Sequence, residues 1–429
     1  MSFLGAQNSI ALGVQGLIHI DTGVVGSADY LLAKSLRFRS SASAYLNRTP
    51  TTTGSRTTFT WSGWVKRGAL GTGIGNRRAI FSSGRTDGSP QNGLVFRFFD
   101  DQINASSGGG VSLSLTSTAV YRDPAAWYHL VFAVDTTQGT ASNRVKIYVN
   151  GDQVTSFGTA TYPSASQNFD INTSSYTAYN GVENDTATLV YYFDGEMAEV
   201  NFVDGQALAP TAFGASSTYN QWLPIAYAGT YGTNGFYLPF TNTASTSTLV
   251  ADSSGNANNW TPNNISLTAG STYDSLTDVP TLTSTTAANY VVWNPLWQGR
   301  TNVPTNGNLD YPASSVGIGT MDLSTGSFYW EITATGGIAT VAVYSTAVSS
   351  SAAVALGLTY GFRFNGSTGA FDFTTNGTTF TSIATGLTSG PYFIYVSTAA
   401  LTTASLNAGQ RPLAYTAPSG FLPLNTFNI

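Results

Sequence analysis

Cysteine is absent from this chain of 429 residues, which excludes disulfide bonds and thiolate chemistry. Charged residues are scarce, at 9% of the sequence, whereas an ordinary soluble domain has about 25%. Three lysines and a formal net charge of −5 provide no basic patch for a phosphate backbone or an anionic membrane. We therefore expect neither nucleic-acid binding nor membrane insertion. The two histidines, His19 and His129, are too far apart in sequence to form a zinc-ligand pair at helical spacing.

Glycine and the aromatic residues are plentiful: the chain has 45 Gly, 23 Tyr, 24 Phe and 8 Trp. This composition favours short strands and tight turns over helices. No stretch of ten or more residues shows an apolar stripe at helical spacing. The predicted fold class is all-β, with two antiparallel β-sandwiches joined by a loop-rich connector and preceded by an extended N-terminal arm.

Residues 1–35 form the predicted arm. They lack a basic segment, and glycines interrupt their apolar residues, so the sequence predicts neither a signal peptide nor a membrane span. The apolar side chains follow no period of 2 or 3.6 and cannot bury one another. We expect them to anchor the chain to a neighbouring subunit or another virion protein. The anchoring candidates are Phe3, Leu4, Ile10, Leu12, Leu17, Ile18 and Ile20.

Strand-like segments recur from residue 36 onward, separated by glycine-containing turns at roughly 10 to 15 residue intervals, which is typical of an antiparallel sandwich. The first sandwich is predicted over residues 36–211. Residues 212–285 contain few such segments among Ser, Thr, Asn and Gly clusters, and we interpret them as a loop-rich connector. Strand signals resume in YVVWNPL, GSFYWEITATGG and PYFIYVST, which predict a second sandwich over residues 286–429.

Three segments of the first sandwich carry a family resemblance: FTWSGWVK (59–66), WYHLVFAVD (127–135) with KIYVNG (146–151), and FDGEMAEVNF (193–202). Their order and spacing resemble the early aromatic strand, the paired central strands and the closing strand of the concanavalin A-like, laminin-G-like jelly roll. The sequence FDGEMAEVNFVDGQALAPTAFG (193–214) is similar to versions of this domain in structural proteins of tailed, especially marine, bacteriophages.

The C-terminal region resembles a SPRY (B30.2-like) sandwich. The resemblance rests on NPL (294–296), NGNL (306–309), GSFYWE (326–331), YGFRF (360–364) and NAGQRPLAY (407–415). The family usually has a charged strand after the middle of the domain, and the corresponding segment here, TGAFDFTTNGTTF (368–380), has a single charged residue. The resemblance therefore implies the sandwich but not the ligand pocket of the family.

These resemblances imply a non-enzymatic structural protein of a bacteriophage virion, such as a tail or head fibre or a decoration protein. It would be assembled in the host cytoplasm, displayed on the virion surface and available for adhesion to host glycans. Many strand edges and low charge favour a homo-oligomer, and by analogy with fibres we expect a trimer. The alternative is a secreted lectin or glycoside hydrolase with a concanavalin A-like fold.

Catalysis by paired carboxylates would depend on Asp194, Glu196 and Glu199, because glycosidases of the retaining type need two carboxyl groups about 5 Å apart. The sequence has no ExDxxE arrangement of the glucanase kind and no G-x-S-x-G nucleophile turn. We interpret the three carboxylates as solvated groups at the rim of the closing strand, and we predict that the chain is not an enzyme.

Calcium is the one cofactor that the sequence suggests, because laminin-G-like domains often bind it through loop oxygen atoms. The candidate ligands lie in one polar loop region: Asp170, Asn172, Asn184 and Asp185. A polar loop without metal is the simpler interpretation.

Surface aromatic residues are the candidate glycan-binding groups, because sugars stack on Trp and Tyr rings. The candidates lie in loop-like contexts: Trp222, Tyr227, Tyr231, Trp260 and Trp297. The competing interpretation is that they pack the connector onto the two sandwiches, since a long segment with few strands needs apolar anchors.

Overall fold

A computed structural model of the chain describes residues 30–71, 76–86, 92–345, 348–354 and 358–429. Within these residues the chain forms thirty β-strands, numbered β1 to β30 in chain order, and one α-helix, α1 at Thr246–Leu249. Four short 3-10 helices lie at Ser40–Ala42, Gly108–Gly110, Ala141–Asn143 and Pro210–Ala212. The predicted all-β class is confirmed.

Two eight-stranded antiparallel sheets form the first sandwich. Sheet 1 contains, in spatial order, β10 (Asp152–Gln153), β9 (Val145–Val149), β8 (Trp127–Asp135), β3 (Thr58–Arg67), β15 (Gly195–Asp204), β1 (Ser35–Phe38) and β20 (Ser275–Leu276), and β18 (Phe236–Leu238) also pairs with β15. Sheet 2 contains, in spatial order, β11 (Phe157–Thr161), β7 (Leu113–Val120), β6 (Gln102–Ser107), β5 (Leu94–Phe99), β4 (Arg78–Ser83), β12 (Ala178–Asn180), β2 (Tyr45–Arg48) and β19 (Thr261–Asn263). A hairpin of β13 (Glu183–Asp185) and β14 (Thr188–Val190) lies outside both sheets.

Alternation along β3 determines how sheet 1 packs. Phe59 and Trp61 point into the core between the two sheets, and Trp64 points to the opposite face, where it joins a second apolar cluster. Strand β3 is central because β15 and β8 pair along its two edges. Both faces of sheet 1 are therefore covered, one by sheet 2 and the other by segments outside the sandwich.

The connector contributes more strand structure than the sequence predicted. Its strands β18 and β20 extend sheet 1, and β19 extends sheet 2. A further ribbon, β16 (Gly214–Ser216) with β17 (Trp222–Pro224), precedes them in sequence. These strands have two or three residues each, too few to show an alternating pattern. Strands β18, β19 and β20 form because strands of the sandwich supply their hydrogen-bond partners, whereas β16 and β17 pair with each other.

The second sandwich packs a six-stranded sheet on a four-stranded sheet. Sheet 3 contains, in spatial order, β21 (Asp310–Tyr311), β30 (Thr403–Asn407), β23 (Ser327–Thr335), β26 (Thr359–Asn365), β27 (Ala370–Thr374) and β28 (Thr381–Ala384). Sheet 4 contains β22 (Val316–Asp322), β29 (Phe393–Thr398), β24 (Ala339–Tyr344) and β25 (Val348–Val354). Trp330, Phe362 and Ile394 belong to the core between them.

The end of the predicted arm packs on its own chain. Leu32 is 6% exposed and joins Trp64 and Trp127 on the outer face of sheet 1, and Ser35 already begins β1. The arm prediction was wrong for residues 30–35, because the outer face of sheet 1 offers an apolar surface within the same chain. The predicted anchoring residues, Phe3 to Ile20, lie outside the described residues.

Candidate functional site

Trp222 packs the connector onto sheet 1. Its indole Nε1 donates to His129 Nδ1 at 2.9 Å, and the two rings stack with centroids 6.0 Å apart. Because indole N–H is only a donor, His129 carries its proton on Nε2, which lies 2.9 Å from Ser62 Oγ. Burial lowers the pKa of His129 to about 3, so the ring is neutral. For Trp222 the packing interpretation describes the contacts found.

Three further aromatic candidates also have packing partners. Tyr227 stacks on Phe213 with the ring centroids 5.1 Å apart, and it packs edge to face on Tyr231 with the centroids 5.0 Å apart. The three rings lie against the outer face of sheet 1. Trp260 is 3% exposed and packs edge to face on Phe236 in the main core. Burial removes Trp260 from the residues that a sugar could reach.

Trp297 has a different setting, on the outward face of sheet 4. The centroid of its ring lies 5.5 Å from that of Tyr344 and 6.4 Å from that of Tyr395, and both pairs are edge to face. The two tyrosines stack on each other at 5.9 Å with an interplanar angle of 17°. All three side chains are partly exposed. We call Trp297, Tyr344 and Tyr395 the aromatic platform.

The aromatic platform combines distant segments of the chain. Tyr344 ends β24, Tyr395 lies in β29 beside it, and Trp297 reaches over from a turn at the sheet edge. The turn is fixed because Asn294 N–H donates to the Ile318 carbonyl at 2.8 Å. Sequence reasoning missed both tyrosines. Their alternation with buried neighbours in VAVYS and FIYVS was the available signal, since it places them on the outward face.

An open groove of about 450 Å³ borders the same turn. Asn294, Leu296 and Thr320 line it from the second sandwich, and Asp123 and Pro124 line it from the first. The groove and the aromatic platform therefore border one polypeptide turn, which supplies Asn294 and Leu296 to the groove and Trp297 to the platform.

Two of the calcium candidates are engaged within the protein. Asp170 pairs with Arg56 at 3.1 Å and accepts the Asn92 N–H, and the Asn172 amide donates to the Ser55 carbonyl. The other two, Asn184 and Asp185, lie in the β13–β14 hairpin. In the described ranges no three His, Cys, Asp or Glu residues form a group that could hold a metal ion. The calcium site stays a prediction.

Asp194 and Glu196 are buried, so the prediction of solvated rim carboxylates was wrong for both. Asp194 is 1% exposed because a loop of the second sandwich covers it: Asn306 N–H and Gly307 N–H donate to its two oxygens at 2.9 and 2.8 Å. Consecutive positive φ angles at Asn306, Gly307 and Asn308 turn these amides toward one point, a geometry that suits an anion.

Glu196 lies beside a buried ion pair between the first sandwich and the connector. Lys66 Nζ donates to Asp278 Oδ2 at 2.6 Å, and Trp127 Nε1 donates to Asp278 Oδ1 at 3.1 Å. Burial and the neighbouring Asp278 carboxylate raise the pKa of Glu196 well above its usual range. In its ionised form Glu196 finds no hydrogen-bond donor among the described residues, whereas the neutral form has a proton to offer Asp278.

Glu199 is also buried, at 5% exposure, in a bulge of β15 where its φ is 54°. The hydroxyl of Tyr30 donates to one carboxylate oxygen, and the hydroxyl of Tyr237 donates to the other at 2.9 Å. Burial raises the pKa of Glu199 to about 7. The three carboxylates thus belong to packed contacts, which alternation alone did not reveal because the covering segments are distant in sequence.

Comparison with known protein families finds a match for one part of the chain. Residues 39–212 match the model of the concanavalin A-like lectin/glucanases superfamily. No curated protein matches the chain. No helix in the part of the chain that the structure describes has the length and apolar character needed to cross a membrane.

Solved structures with some likeness include β-sandwich proteins of several kinds. A heptameric pentraxin from Limulus polyphemus has 16% identity and a TM-score of 0.31, with 41% of this chain and 78% of that chain covered. Domains LG4-5 of the mouse laminin α1 chain have 9% identity and a TM-score of 0.30, with 95% and 90% covered. The TRIM65 PSpry domain has 12% identity and a TM-score of 0.23, with 27% and 91% covered.

Proposed function

We propose that this chain is a non-enzymatic structural protein of a bacteriophage particle, displayed on the virion surface, and that its aromatic platform adheres to host glycans. The observation that carries the adhesive role is the meeting of Trp297, Tyr344 and Tyr395 on the outward face of sheet 4. Aromatic rings with one apolar face and one wet edge suit the C–H faces of pyranose rings. The match of residues 39–212 to a superfamily that includes lectins fits carbohydrate binding.

The particle role is supported by composition and by the resemblance of residues 193–214 to a domain of phage structural proteins. Few charges and many Ser, Thr, Asn and Gly residues suit a structural protein that acts through its exposed surface and not through catalysis. We propose that a homotrimer assembles in the host cytoplasm and is anchored by the arm. Mass spectrometry of purified particles tests the virion role, and light scattering of the purified chain tests the oligomer. A free monomer, absent from particles, would contradict both.

The non-enzymatic part of the proposal is supported by the burial of the carboxylates. Glu196 lies beneath the second sandwich and Glu199 beneath two tyrosines, so a polysaccharide cannot reach them without opening packed contacts. We expect the E196Q variant to keep wild-type adhesion. Release of reducing sugar from host polysaccharide by the wild type, lost in E196Q, would favour the glycoside hydrolase alternative.

Binding to immobilised host polysaccharide tests the adhesive role directly. The W297A variant should lose retention, because it removes the ring that contacts both tyrosines of the aromatic platform. The matched control is Y219A, which removes an aromatic side chain, 63% exposed, from the connector. Equal retention of wild type, W297A and Y219A would show that the aromatic platform does not bind the glycan.

A further inference from the structure

Arg300 is an unusual cation in the C-terminal half of the chain. Only three basic residues follow residue 211, namely Arg300, Arg363 and Arg411. Arg363 is paired with Asp372 at 2.8 Å, and Arg411 is 4% exposed with its guanidinium donating to the carbonyls of Ser271 and Leu406. Arg300 is partly exposed and forms no ion pair with any residue that the structure describes.

The guanidinium of Arg300 is hydrogen-bonded to the backbone of Trp297, one residue of the aromatic platform. Its Nη1 donates to the Trp297 carbonyl at 3.0 Å, and its backbone N–H donates to the same oxygen at 3.2 Å. The next residue, Thr301, accepts the Val316 N–H at the start of β22. Among the residues that the structure describes, the side chain of Arg300 makes the one hydrogen bond to Trp297, which uses one of its five guanidinium N–H groups. The other donors are available to a ligand.

Three of the four strands of sheet 4 carry no charged residue that could pair with Arg300 or repel an anionic ligand. Residues 332–362 and 373–410, which include β24, β25 and β29, contain no Asp, Glu, Lys or Arg. The one acid of β22, Asp322, lies at the far end of that strand and accepts from Ser324 and the Tyr392 N–H. An anion at the aromatic platform would therefore meet one cation and no carboxylate from these segments.

We infer that the ligand of the aromatic platform is an acidic glycan, in which a carboxylate or sulfate pairs with Arg300 while the pyranose ring stacks on the aromatic side chains. This inference rests on the proposed adhesive function and adds the ligand class. The planar guanidinium fork matches the geometry of both anionic groups, and such charge-assisted hydrogen bonds are stronger than neutral ones.

Matched oligosaccharides test the inference by calorimetry or surface binding with the full chain. One pair is an oligogalacturonate and its methyl ester, which lacks the charge, and the other is a sulfated galactan oligosaccharide and its desulfated form. We expect wild type to bind one acidic member roughly 10 to 100 times more tightly than its neutral counterpart. The pair that shows this preference identifies whether carboxylate or sulfate is recognised.

Substitutions at Arg300 separate the inference from the proposed function. R300Q should reduce affinity for the acidic glycan to the level of the neutral one, R300K should keep part of the preference, and added salt should weaken wild-type binding. The control R144Q removes one arginine charge from the first sandwich. Equal affinity for acidic and neutral members, or an R300Q variant with wild-type preference, would overturn the inference and leave the adhesive function standing. Failure of wild type to bind any member would contradict both.

Discussion

The carboxylate of Asp194 in the first sandwich accepts a hydrogen bond from the backbone N–H of Gly307 in the second, at 2.8 Å. The neighbouring Asn306 N–H donates to the other oxygen of the same carboxylate, and Ser40 also donates to it. A loop of the second sandwich thus encloses an acid of the first, which makes a buried polar contact between the two sandwiches.

Removing the Asp194 carboxylate should weaken this contact. In the D194A variant two buried backbone N–H groups lose their acceptor, which costs about 1 to 3 kcal/mol for each group. We expect a fall of about 2 to 6 kcal/mol in the free energy of unfolding, measured in urea. The control D152N changes an exposed aspartate of β10. A D194A variant as stable as D152N would show that the loop contact contributes nothing.

The same contact leaves no room beside Gly68. A Cβ atom at this position would lie 2.2 Å from Asp194 Oδ1 and 3.0 Å from Gly307 Cα. G68A should therefore destabilise the chain by about 1 to 3 kcal/mol through overpacking. The matched control is G139A, because a Cβ on Gly139 meets nothing within 4 Å. Thermal unfolding of the two variants at equal midpoints would contradict the close approach.

Sequence reasoning predicted the sandwiches and the core strands because apolar alternation is local. It could not predict the bulge in β15. Met197 and Val200 are three residues apart, so a regular strand would place them on opposite faces, yet both lie in the core. The strand register shifts between Ala198 and Asn201, with Glu199 at positive φ. A non-glycine residue in that conformation gives no sequence signal.

The candidate site was predictable only in part, for a related reason. Trp297 was selected for its loop-like context, but its two tyrosine neighbours come from β24 and β29, which pair across a long separation in sequence. Trp222 had the same loop-like context, but it packs on sheet 1 because its indole N–H donates to His129, which is distant in sequence. Composition and spacing describe single residues, whereas the aromatic platform depends on which strands are neighbours.

Glu199 should make stability depend on pH. Its folded pKa of about 7 lies above the value near 4.3 of an unfolded glutamate, so the folded state binds the proton more tightly. The stabilisation from this group is complete below about pH 4 and is lost as pH rises through 7. The E199Q variant should lose this slope between pH 4 and 7, measured by urea denaturation at each pH. An unchanged slope in E199Q would assign the dependence to other groups.

Phe202 packs the two sheets of the first sandwich and the connector against one another, and its removal should be strongly destabilising. Its ring is 1% exposed and stacks on Phe59 of β3 at 5.7 Å, on Phe81 of sheet 2 at 5.8 Å and on Phe236 of the connector at 5.5 Å. F202A would leave a cavity where these rings meet, and we expect a loss of about 3 to 5 kcal/mol in the free energy of unfolding. The control L282A truncates a side chain that is 50% exposed and should change stability by less than about 0.5 kcal/mol. Equal losses in the two variants would mean that the ring stack does not hold the connector to the sandwich core.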